Sequence, residues 1–446
     1  MQTENKRWLA PQSETEETHS FETAAVNTST ASRWIIGGML ALYAALGHFC
    51  RVSITVAGSE VFIRDYQISE TSMGWVYSTF LIVYTAMMLP GGWLIDRIGS
   101  ARALTLLGIV MGTFVMVTGV LGWMTSDAYT LWLGLLLVRG LAGIGNAPLH
   151  PGAAHAVSVV IDGRHRATVN GMVPAGALVG IALCFPIFGA LKDHLGWQMA
   201  FVTSGGVLFA YGLAWAAMAS VVFPAHVPAA RHTESSPIPP VGQSAASMML
   251  RPDLLLVTFS YGAYGYFQYL FFYWMNHYFE KQLHLSDQES RNRTMWILLA
   301  QGLGMAVGGM ATDVLCRRLG TTWGRRGVVL AGMGFGAAFG LLGVSLEDVQ
   351  QITISLALSM AALGMCEGVF WTTSTDIGRS RAGLAGAFMN TGGNLGGVIS
   401  PVLTPWLALK YGWPAAIVVA CFVCAVGGAV WLVVRVRPPA HTSTAN

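Results

Sequence analysis

Residues 91–102 read GGWLIDRIGSAR and lie between two long apolar segments. A related stretch, GGMATDVLCRRLG, begins at residue 308, and its Asp313 stands where Asp96 stands in the first copy. Two further pairs of segments repeat at nearly the same spacing: RHRA at 164–167 with RSRA at 379–382, and GW at 196–197 with GW at 412–413. These matches indicate that the chain consists of two copies of one structural unit.

The composition is that of a membrane protein. Of 446 residues, 54% are hydrophobic and only 11% are charged, whereas an ordinary soluble domain carries about 25% charged residues. A membrane-spanning helix needs about 20 apolar residues, so the apolar content matches about twelve spans. This excludes an ordinary soluble enzyme, a disordered scaffold and a nucleic-acid-binding protein. The net charge of +3 is small and implies no polyanionic partner.

The cysteines indicate neither a disulfide framework nor a metal site. All of them fall inside apolar runs, where a cysteine behaves as a small hydrophobic residue, and no spacing among them is typical of metal ligands. They are Cys50, Cys184, Cys316, Cys366, Cys421 and Cys424. We therefore expect no metal and no cofactor.

The apolar segments predict an all-α membrane protein with twelve transmembrane helices in two pseudo-symmetric halves of six. The halves cover residues 34–222 and 252–436. The predicted spans, numbered 1 to 12, are roughly 34–57, 72–95, 103–124, 129–160, 166–191, 198–222, 252–279, 292–316, 326–345, 351–376, 382–409 and 413–435.

Three polar segments lie outside the halves. Residues 1–33 are rich in Ser, Thr and Glu and lack the apolar run of a signal peptide, so we expect a disordered cytoplasmic tail and a retained first span. Residues 223–251 contain five prolines, which is typical of a linker between domains. Residues 437–446 form a second short tail.

Lysine and arginine predict the orientation, because they concentrate on the cytoplasmic side. With the N-terminus inside, 17 of them fall in inner segments and 6 in outer segments. The other two, Arg51 and Arg139, lie within spans. Both termini are therefore expected in the cytoplasm, which also supports an even number of spans.

The stretch between spans 2 and 3 combines glycines with charges. Glycine lets neighbouring helices approach closely, and an aspartate beside two arginines can form contacts that break and re-form when the halves rock. The pattern Gly-x-x-x-Asp-Arg-x-Gly-x-x-Arg resembles the major facilitator superfamily, and the resemblance covers essentially the whole chain. It implies gating roles, rather than substrate binding, for Gly92, Asp96, Arg97, Gly99, Arg102 and Asp313.

A narrower resemblance rests on four spans. The motifs are Cys50-Arg51-x-Ser53-x-x-Val56-Ala57 in span 1, Arg139-Gly140-Leu141-x-Gly143 with Pro148-x-x-Pro151-Gly152 in span 4, Phe370-Trp371 in span 10, and Asn390-x-x-Gly393-Asn394-Leu395-Gly396-Gly397 with Pro401 in span 11. Together they resemble the anion:cation symporter family, which includes galactonate, hexuronate and phthalate permeases and vesicular organic-anion carriers. The organophosphate exchangers also place an arginine at this point of span 1.

Charged side chains inside spans are costly, and therefore they mark functional sites. Arg51 lies in the outer half of span 1, and a guanidinium binds carboxylate or phosphate through two parallel hydrogen bonds. The resemblance implies that Arg51 binds the substrate anion; the alternative is a structural pair with an acid on another helix. Arg139 shares a helical face with Asn146 and His150, and both a structural or coupling role and direct binding stay open for it.

Two positions depart from the proton-coupled members of the resembling family. Those members carry an aspartate before the span 1 arginine and a glutamate in span 4, where this chain has Cys50 and Asn146. Asparagine does not titrate, and a buried thiol is a poor proton carrier near neutral pH. Proton symport by the usual route is therefore in question. His150, which stands between two prolines, is either a coupling residue or a partner for freed backbone groups.

Glu367 in span 10 is the acid that can replace the missing pair. It precedes Trp371 by four residues, so the two side chains share a helical face. The resemblance implies that Trp371 faces the cavity, and Glu367 then faces it too. A carboxylate there needs a partner or a proton. We expect either proton coupling through Glu367 or a permanent ion pair, with Arg51 as the partner across the halves.

Span 7 is rich in aromatic residues, part of which serve packing or an interfacial belt. Gln268 is the polar member of a stripe that also contains Tyr264 and Phe272, so we expect it at the site or bonded across helices. With the positions that the resemblance implies, the predicted substrate site comprises Arg51, Tyr84, Gln268, Trp371 and Asn390. The coupling candidates are Glu367, Arg139, His150 and Asn146.

The sequence thus predicts a secondary transporter that moves a small organic anion, such as a sugar acid or an aromatic acid, by alternating access. Proton symport and exchange without protons are both open. Organophosphate exchange ranks lower because spans 7–12 have no arginine at their middle, and a non-transporting receptor with the same fold is the remaining alternative. We expect no enzymatic activity, a monomer that supplies both halves of its site, and a bacterial inner membrane.

Overall fold

The first half of the chain forms six spans. A computed structural model describes residues 30–161, 165–222, 245–378 and 381–435 of the protein. The helices of the first half, in chain order, are Thr30–Ala57 with a π-helical continuation Gly58–Ile63, then Glu70–Met124, Ala128–Asn146, Leu149–Val160, Arg166–Leu195 and Trp197–Val222. The long run Glu70–Met124 contains spans 2 and 3, which confirms the predicted order.

The second half repeats this arrangement. Its helices are a short Ala245–Met249, then Pro252–Lys281, Asp287–Ser345, Val349–Gly364, Glu367–Gly378, Ala382–Tyr411 and Trp413–Ala429, with a 3₁₀ turn Val430–Leu432. The run Asp287–Ser345 contains spans 8 and 9, just as the corresponding run of the first half contains spans 2 and 3. Twelve spans in two six-helix halves are therefore confirmed.

Four glycines at positive φ mark the repeat in the backbone. Gly99 (φ 80°) separates span 2 from span 3, and Gly320 (φ 79°) separates span 8 from span 9. Gly196 (φ 79°) and Gly412 (φ 87°) end spans 5 and 11. A residue with a Cβ rarely adopts this conformation, so glycine is required at equivalent turns of both halves.

Spans 4 and 10 are broken rather than continuous. The helix of span 4 ends at Asn146 and resumes at Leu149, because Pro148 lacks an N–H and its ring displaces the preceding turn. Span 10 breaks at the equivalent place, between Gly364 and Glu367. Discontinuous helices beside the midplane are typical of transporter binding sites.

The composition of the spans reflects where they lie. Eight helical stretches of the described chain are long and apolar enough to cross a membrane by length and composition alone. The helices of spans 2, 7 and 11 are not among them. Span 2 packs against span 11, and span 7 packs against span 1, across the boundary between the halves. Their polar side chains therefore face the boundary rather than lipid.

The two ends of the described chain lie on one face of the protein, which we call the terminal face. There the Arg435 backbone N–H donates to Asp253 at the start of span 7, at 3.0 Å. At the opposite end, which we call the far face, the halves are in close contact. A Cβ on Gly74 of span 2 would collide with the carbonyl oxygen of Pro401 in span 11. The Ser78 hydroxyl donates to the Val398 carbonyl oxygen at 2.7 Å.

Candidate functional site

Arg51 is buried at the boundary between the halves, with 6% of its surface exposed. Its guanidinium donates to the Tyr269 hydroxyl of span 7 at 2.6 Å. The guanidinium carbon lies 5.3 Å from the ring centre of Phe80 and 5.5 Å from that of Tyr84, both in span 2. Among the described residues no carboxylate pairs with it. Its charge is therefore stabilised by ring faces and one hydroxyl, which leaves donors for an anion.

A stack of tyrosines joins the halves next to Arg51. The ring of Tyr269 stacks on Tyr273 with centres 5.9 Å apart, and Tyr273 stacks on Tyr77 of the other half at 5.0 Å. These residues are buried. The stack closes the far side of the Arg51 pocket with aromatic surface and phenolic groups.

Arg139 supports Arg51 from behind. Its guanidinium donates to the backbone carbonyl oxygen of Arg51 at 2.6 Å, and it lies 4.7 Å from the ring centre of Phe80. It is fully buried in the first half. This contact positions span 1 against span 4. The coupling role and direct binding of substrate by Arg139 stay predictions.

The two positions that replace the family's acids differ in their surroundings. The Cys50 thiol donates to the carbonyl of Ser204 at 3.5 Å, so it faces span 6 inside the first half. Asn146 is buried, and neither amide atom has a hydrogen-bond partner within the described part of the chain. Its Oδ1 lies toward Gly47 of span 1. The side-chain amide of Asn146 therefore has a free donor and a free acceptor among the described residues. It lies near Gly47, which is one helical turn from Arg51 in span 1.

His150 packs on another histidine of the same half. Its ring centre lies 5.2 Å from that of His48 in an edge-on arrangement, and the His48 Nδ1 bonds to the Ala44 carbonyl at 3.1 Å. The coupling role of His150 stays a prediction.

Glu367 is held by neutral donors. The Tyr261 hydroxyl donates to its Oε1 at 2.9 Å, and the Trp371 indole N–H donates to the same oxygen at 2.8 Å. Its Oε2 is buried without a partner among the described residues. The expected ion pair between Glu367 and Arg51 is not formed in this conformation. Glu367 bonds to Tyr261 and Arg51 bonds to Tyr269, and these tyrosines lie at different heights along the helix of span 7. Eight residues of one helix separate these tyrosines by about 12 Å.

The predicted site residue Asn390 lies on the boundary, next to Asn394 of the same helix. Asn390 and Asn394 of span 11 direct their amide nitrogens toward the Met88 sulfur in span 2, at 3.9 and 3.5 Å. Met88 follows Tyr84 by one helical turn, so Asn390 lies beside the Arg51 pocket on the terminal side. Gln268 is half-buried, and the next residue, Tyr269, makes the contact with Arg51.

The gating motif lies at the terminal face, away from the pocket. The side chain of Asp96 lies outside the described residues. Arg97 stacks on Trp93 with its guanidinium carbon 4.3 Å from the ring centre. A Cβ on Gly92 would meet no atom within 4 Å, so the close helix approach expected there is not used in this conformation. Arg102 and Asp313 are exposed.

Sequence reasoning missed two residues of the Arg51 pocket, Phe80 and Tyr269, and one buried acid outside the pocket, Glu60. Phe80 was not singled out, and Tyr269 was overlooked in favour of its neighbour Gln268, because the aromatic run of span 7 offers several equally periodic stripes. Glu60 was overlooked because span 1 was ended at residue 57. The structure continues it as a buried π-helical turn to Ile63. The apolar residues Val61 and Phe62 were the available signal.

No group of three or more His, Cys, Asp or Glu side chains in the described residues is placed to hold a metal ion. Within the described part of the chain, the site combines two arginines without a carboxylate partner, Arg51 and Arg139, with Glu367, which has no basic partner, and with aromatic walls and amides between the two halves.

This arrangement defines a membrane transporter, and comparison with known proteins places it in a family. The model of the Major Facilitator Superfamily matches residues 28–377 and 290–446. The chain belongs to this superfamily. The curated relatives described below are transporters and not enzymes.

Curated relatives are named as organic-anion transporters. A probable sulfoacetate transporter of Cupriavidus necator is 26% identical over 85% of this chain and 88% of its own length. A D-galactonate transporter of Escherichia coli O6:H1 is 24% identical over 89% and 94%. A hexuronate transporter of Bacillus subtilis is 27% identical over 84% and 87%. The resemblance to the anion:cation symporter family is thereby confirmed.

A solved structure shares the fold. A bacterial homologue of the human lysosomal transporter Spinster, in an inward-facing and unoccupied conformation, matches with a TM-score of 0.75 at 15% identity. The match covers 91% of this chain and 98% of the other.

Proposed function

We propose that this protein carries a small organic anion across the membrane by alternating access, with Arg51 as the residue that binds the anionic group. The observation that carries the proposal is the Arg51 pocket. A permanently charged guanidinium is buried between the halves without a carboxylate partner among the described residues, and it is contacted by residues of both halves. The names of the relatives support a carboxylate or sulfonate substrate.

The remaining predicted site residues complete the pocket in this proposal. Tyr84 and Asn390 lie beside Arg51, whereas Trp371 lies at the level of Glu367. Gln268 contributes a polar group from span 7. Aromatic walls with a few amides and hydroxyls suit an anion that also carries hydroxyl groups or an apolar portion.

Counterflow in proteoliposomes tests the proposal. Vesicles are preloaded with sulfoacetate, galactonate or glucuronate, or with a hexose phosphate for comparison, and entry of the same labelled compound is followed. Wild type should exchange at least one of the three organic acids. Arg51→Ala should lose more than about 100-fold in rate at low substrate, because two charge-assisted hydrogen bonds of about 1.5 kcal/mol or more each are removed.

Arg293→Gln is the matched control. Arg293 is also an arginine near a helix end, but it bonds to Glu289 of its own helix and to Thr353 within the second half. It should exchange at the wild-type rate. Exchange that is unaffected by Arg51→Ala would refute the assignment of Arg51. Binding of an anion without any exchange would favour the receptor alternative, and exchange of hexose phosphate alone would favour organophosphate exchange.

We further propose that Glu367 carries the coupling proton if transport is proton-coupled. Its carboxyl group bonds to Tyr261 and Trp371, and neither donor brings a positive charge. Ionisation in such a site is unfavourable, so a proton can be held there. Glu367→Gln should make uptake independent of pH while counterflow persists. A pH dependence equal to that of wild type would contradict this, and Arg139, His150 and Asn146 would then be tested next.

For the setting, we propose a bacterial inner membrane with the terminal face in the cytoplasm, as the 17 inner against 6 outer Lys and Arg residues indicate. The closed far face is then the outer face. We also propose that one chain works as a monomer, since both halves of the pocket come from it. Labelling of a single cysteine at Ser126 with an impermeant reagent on intact cells tests the orientation.

A further inference from the structure

A network of charged groups joins the halves at the far face, separate from the Arg51 pocket. The first half contributes the ends of spans 1 and 5, and the second half contributes the end of span 7 and the start of span 8. We call it the charged gate, and its members are Ser59, Glu60, Arg64, Lys192, Asp193, Asn276, Glu280, Asp287 and Arg291.

Arg291 is the centre of the charged gate. It is 3% exposed, and its guanidinium forms two hydrogen bonds with the Glu60 carboxylate, at 2.7 and 2.6 Å. It also contacts Asp193 at 2.6 Å. Lys192 adds a second cation on Glu60 at 2.6 Å, and Arg64 pairs with Asp287 at 3.0 Å. Three cations thus face three carboxylates, and each carboxylate has a basic partner.

Glu280 is a fourth carboxyl in the gate, and it differs from the others. Its Oε1 accepts from the Asn276 amide at 2.5 Å and from the Ser59 hydroxyl at 3.4 Å. It forms no ion pair with any described residue. The Asn276 amide also lies 3.4 Å from Glu60 Oε1, so one amide connects the two carboxyl groups.

The surroundings of Glu280 disfavour the ionised form of its carboxyl group. It lies beyond the predicted span that ends at residue 279. Burial raises its pKa to about 9, and the neighbouring charges of Glu60 and Asp287 act in the same direction, against the smaller effects of Arg64 and Arg291.

Other titratable groups face Glu280 from the packed elements. Those already named are Glu60, Arg64, Lys192, Asp193, Asp287 and Arg291. Span 2 adds Glu70, which bonds to His277 across the halves at 3.0 Å, and Tyr77. Because His277 is an ionisable residue one turn from Glu280 on the same helix, a test must separate these two groups.

Alternating access requires the gate to open. Glu280 and Asn276 belong to the second half, whereas Ser59 and Glu60 belong to the first. Separation at the far face therefore removes Glu60 from Glu280 and admits water, and the carboxyl then ionises with an ordinary pKa of about 4.3.

We propose that Glu280 is a proton-binding site of the charged gate, and that its proton stabilises the closed far face. The sign follows from linkage. At a pH between the pKa values that Glu280 has in the open and in the closed state, the closed state binds one more proton than the open state. The population ratio of closed to open protein therefore falls about tenfold per pH unit as the pH rises. This proposal concerns the gate alone and holds whichever anion the Arg51 pocket takes.

The experiment measures gate opening on the full-length protein in proteoliposomes without substrate. Nitroxide labels are placed at Ser126 and Ser345, which are exposed positions near the far-face ends of spans 3 and 9, and Cys316 is replaced by serine. The distance between the labels is recorded from pH 6 to 8.5. In wild type the label pair should shift from the short to the long distance as the pH rises. A plot of the logarithm of the closed-to-open population ratio against pH should have a slope that corresponds to about one proton.

Glu280→Gln imitates the protonated carboxyl, so it should stay closed and lose the slope. His277→Gln should keep the slope, and so should Glu289→Gln, the matched control, whose exposed side chain bonds to Arg293. A wild-type slope in Glu280→Gln, a slope lost in His277→Gln but not in Glu280→Gln, or no slope in wild type would each overturn the proposal.

If Glu280→Gln does not fold, infrared spectroscopy of Glu280→Asp takes its place. Wild type at pH 7 should show the carbonyl band of a protonated carboxyl group, and the aspartate variant should shift that band. No shift of a protonated carboxyl band would overturn the proposal.

Discussion

Two arginines are buried between the halves, and their surroundings are opposite. Arg291, at the far face, donates to Glu60 and Asp193 and lies 3.8 Å from Asp287. Arg51, in the central pocket, donates to one tyrosine hydroxyl and lies against rings of Phe80 and Tyr84. Both are almost fully buried, so burial alone does not distinguish their roles.

The difference lies in how the charge is balanced. A buried ion pair resists separation because each partner, left alone, is an uncompensated charge. The Arg291 cluster is therefore suited to hold two surfaces together. Aromatic faces stabilise a guanidinium without occupying all its donors. Arg51 can therefore accept an external anion without first losing a carboxylate of its own.

The largest effect is expected at Arg291. Arg291→Gln removes two charged hydrogen bonds from the fully buried Glu60. Because Lys192 stays as a basic partner of Glu60, we expect a cost at or below the about 3–5 kcal/mol of a buried pair that is broken outright. The closed far face should become the minor state, measured by the distance between labels at Ser126 and Ser345. Arg293→Gln is the control and should remain closed. A closed distance in Arg291→Gln would show that helix packing at Gly74 alone closes the gate.

The next effect concerns the shape of the Arg51 side chain. Arg51→Lys keeps the charge but loses the planar fork and its stacking on rings. The apparent affinity in counterflow should fall about tenfold, which corresponds to about 1.4 kcal/mol. An affinity equal to wild type would show that Arg51 acts only as a point charge.

A smaller effect separates the two tyrosines at Arg51. Tyr269→Phe removes the hydroxyl that accepts from the guanidinium, and a hydrogen bond to a charged group contributes about 1.5–3 kcal/mol when it is intact. Because substrate oxygens can replace that hydroxyl, affinity should fall by less than about tenfold. Tyr84→Phe keeps the ring that faces Arg51 and should bind as wild type. Equal losses in both variants would contradict this distinction.

The smallest effect is expected at the rim of the gate. Arg64 is 51% exposed and pairs with Asp287, and exposed ion pairs contribute about 0–1 kcal/mol. Arg64→Gln should leave the label distance within the wild-type range, and any change should vanish at high salt. A fully open gate in this variant would refute the assignment of Arg291 as the centre of the network.

The prediction of the fold succeeded because its signals are local and repeated. Twelve apolar segments and the repeat of charged and glycine motifs are readable without tertiary contacts, whereas most of the predicted linker 223–251 lies outside the described residues. The breaks in spans 4 and 10 were less readable. Pro148 indicates the break in span 4. The break in span 10 contains no proline, and only its equivalence to the break in span 4 makes it recognisable.

The site was predicted in part. Arg51 and Tyr84 come together as expected, and Glu367 and Trp371 form a hydrogen bond as their four-residue spacing predicts. The pairing of Arg51 with Glu367 was wrong for this conformation, because spacing along separate helices does not specify the depth of each side chain. The charged gate was not predicted at all, since its members are far apart in the chain.

Composition, periodicity and the internal repeat determined the class of protein, the number of spans and the residues that a membrane makes costly. These properties follow from the free energy of placing each segment in a bilayer, which depends on local sequence. The tertiary structure decided which buried arginine is balanced by carboxylates and which is not. That choice depends on contacts between distant helices, such as Glu60 with Arg291 and Arg51 with Tyr269, and the electrostatic energy of a buried charge is set by these neighbours.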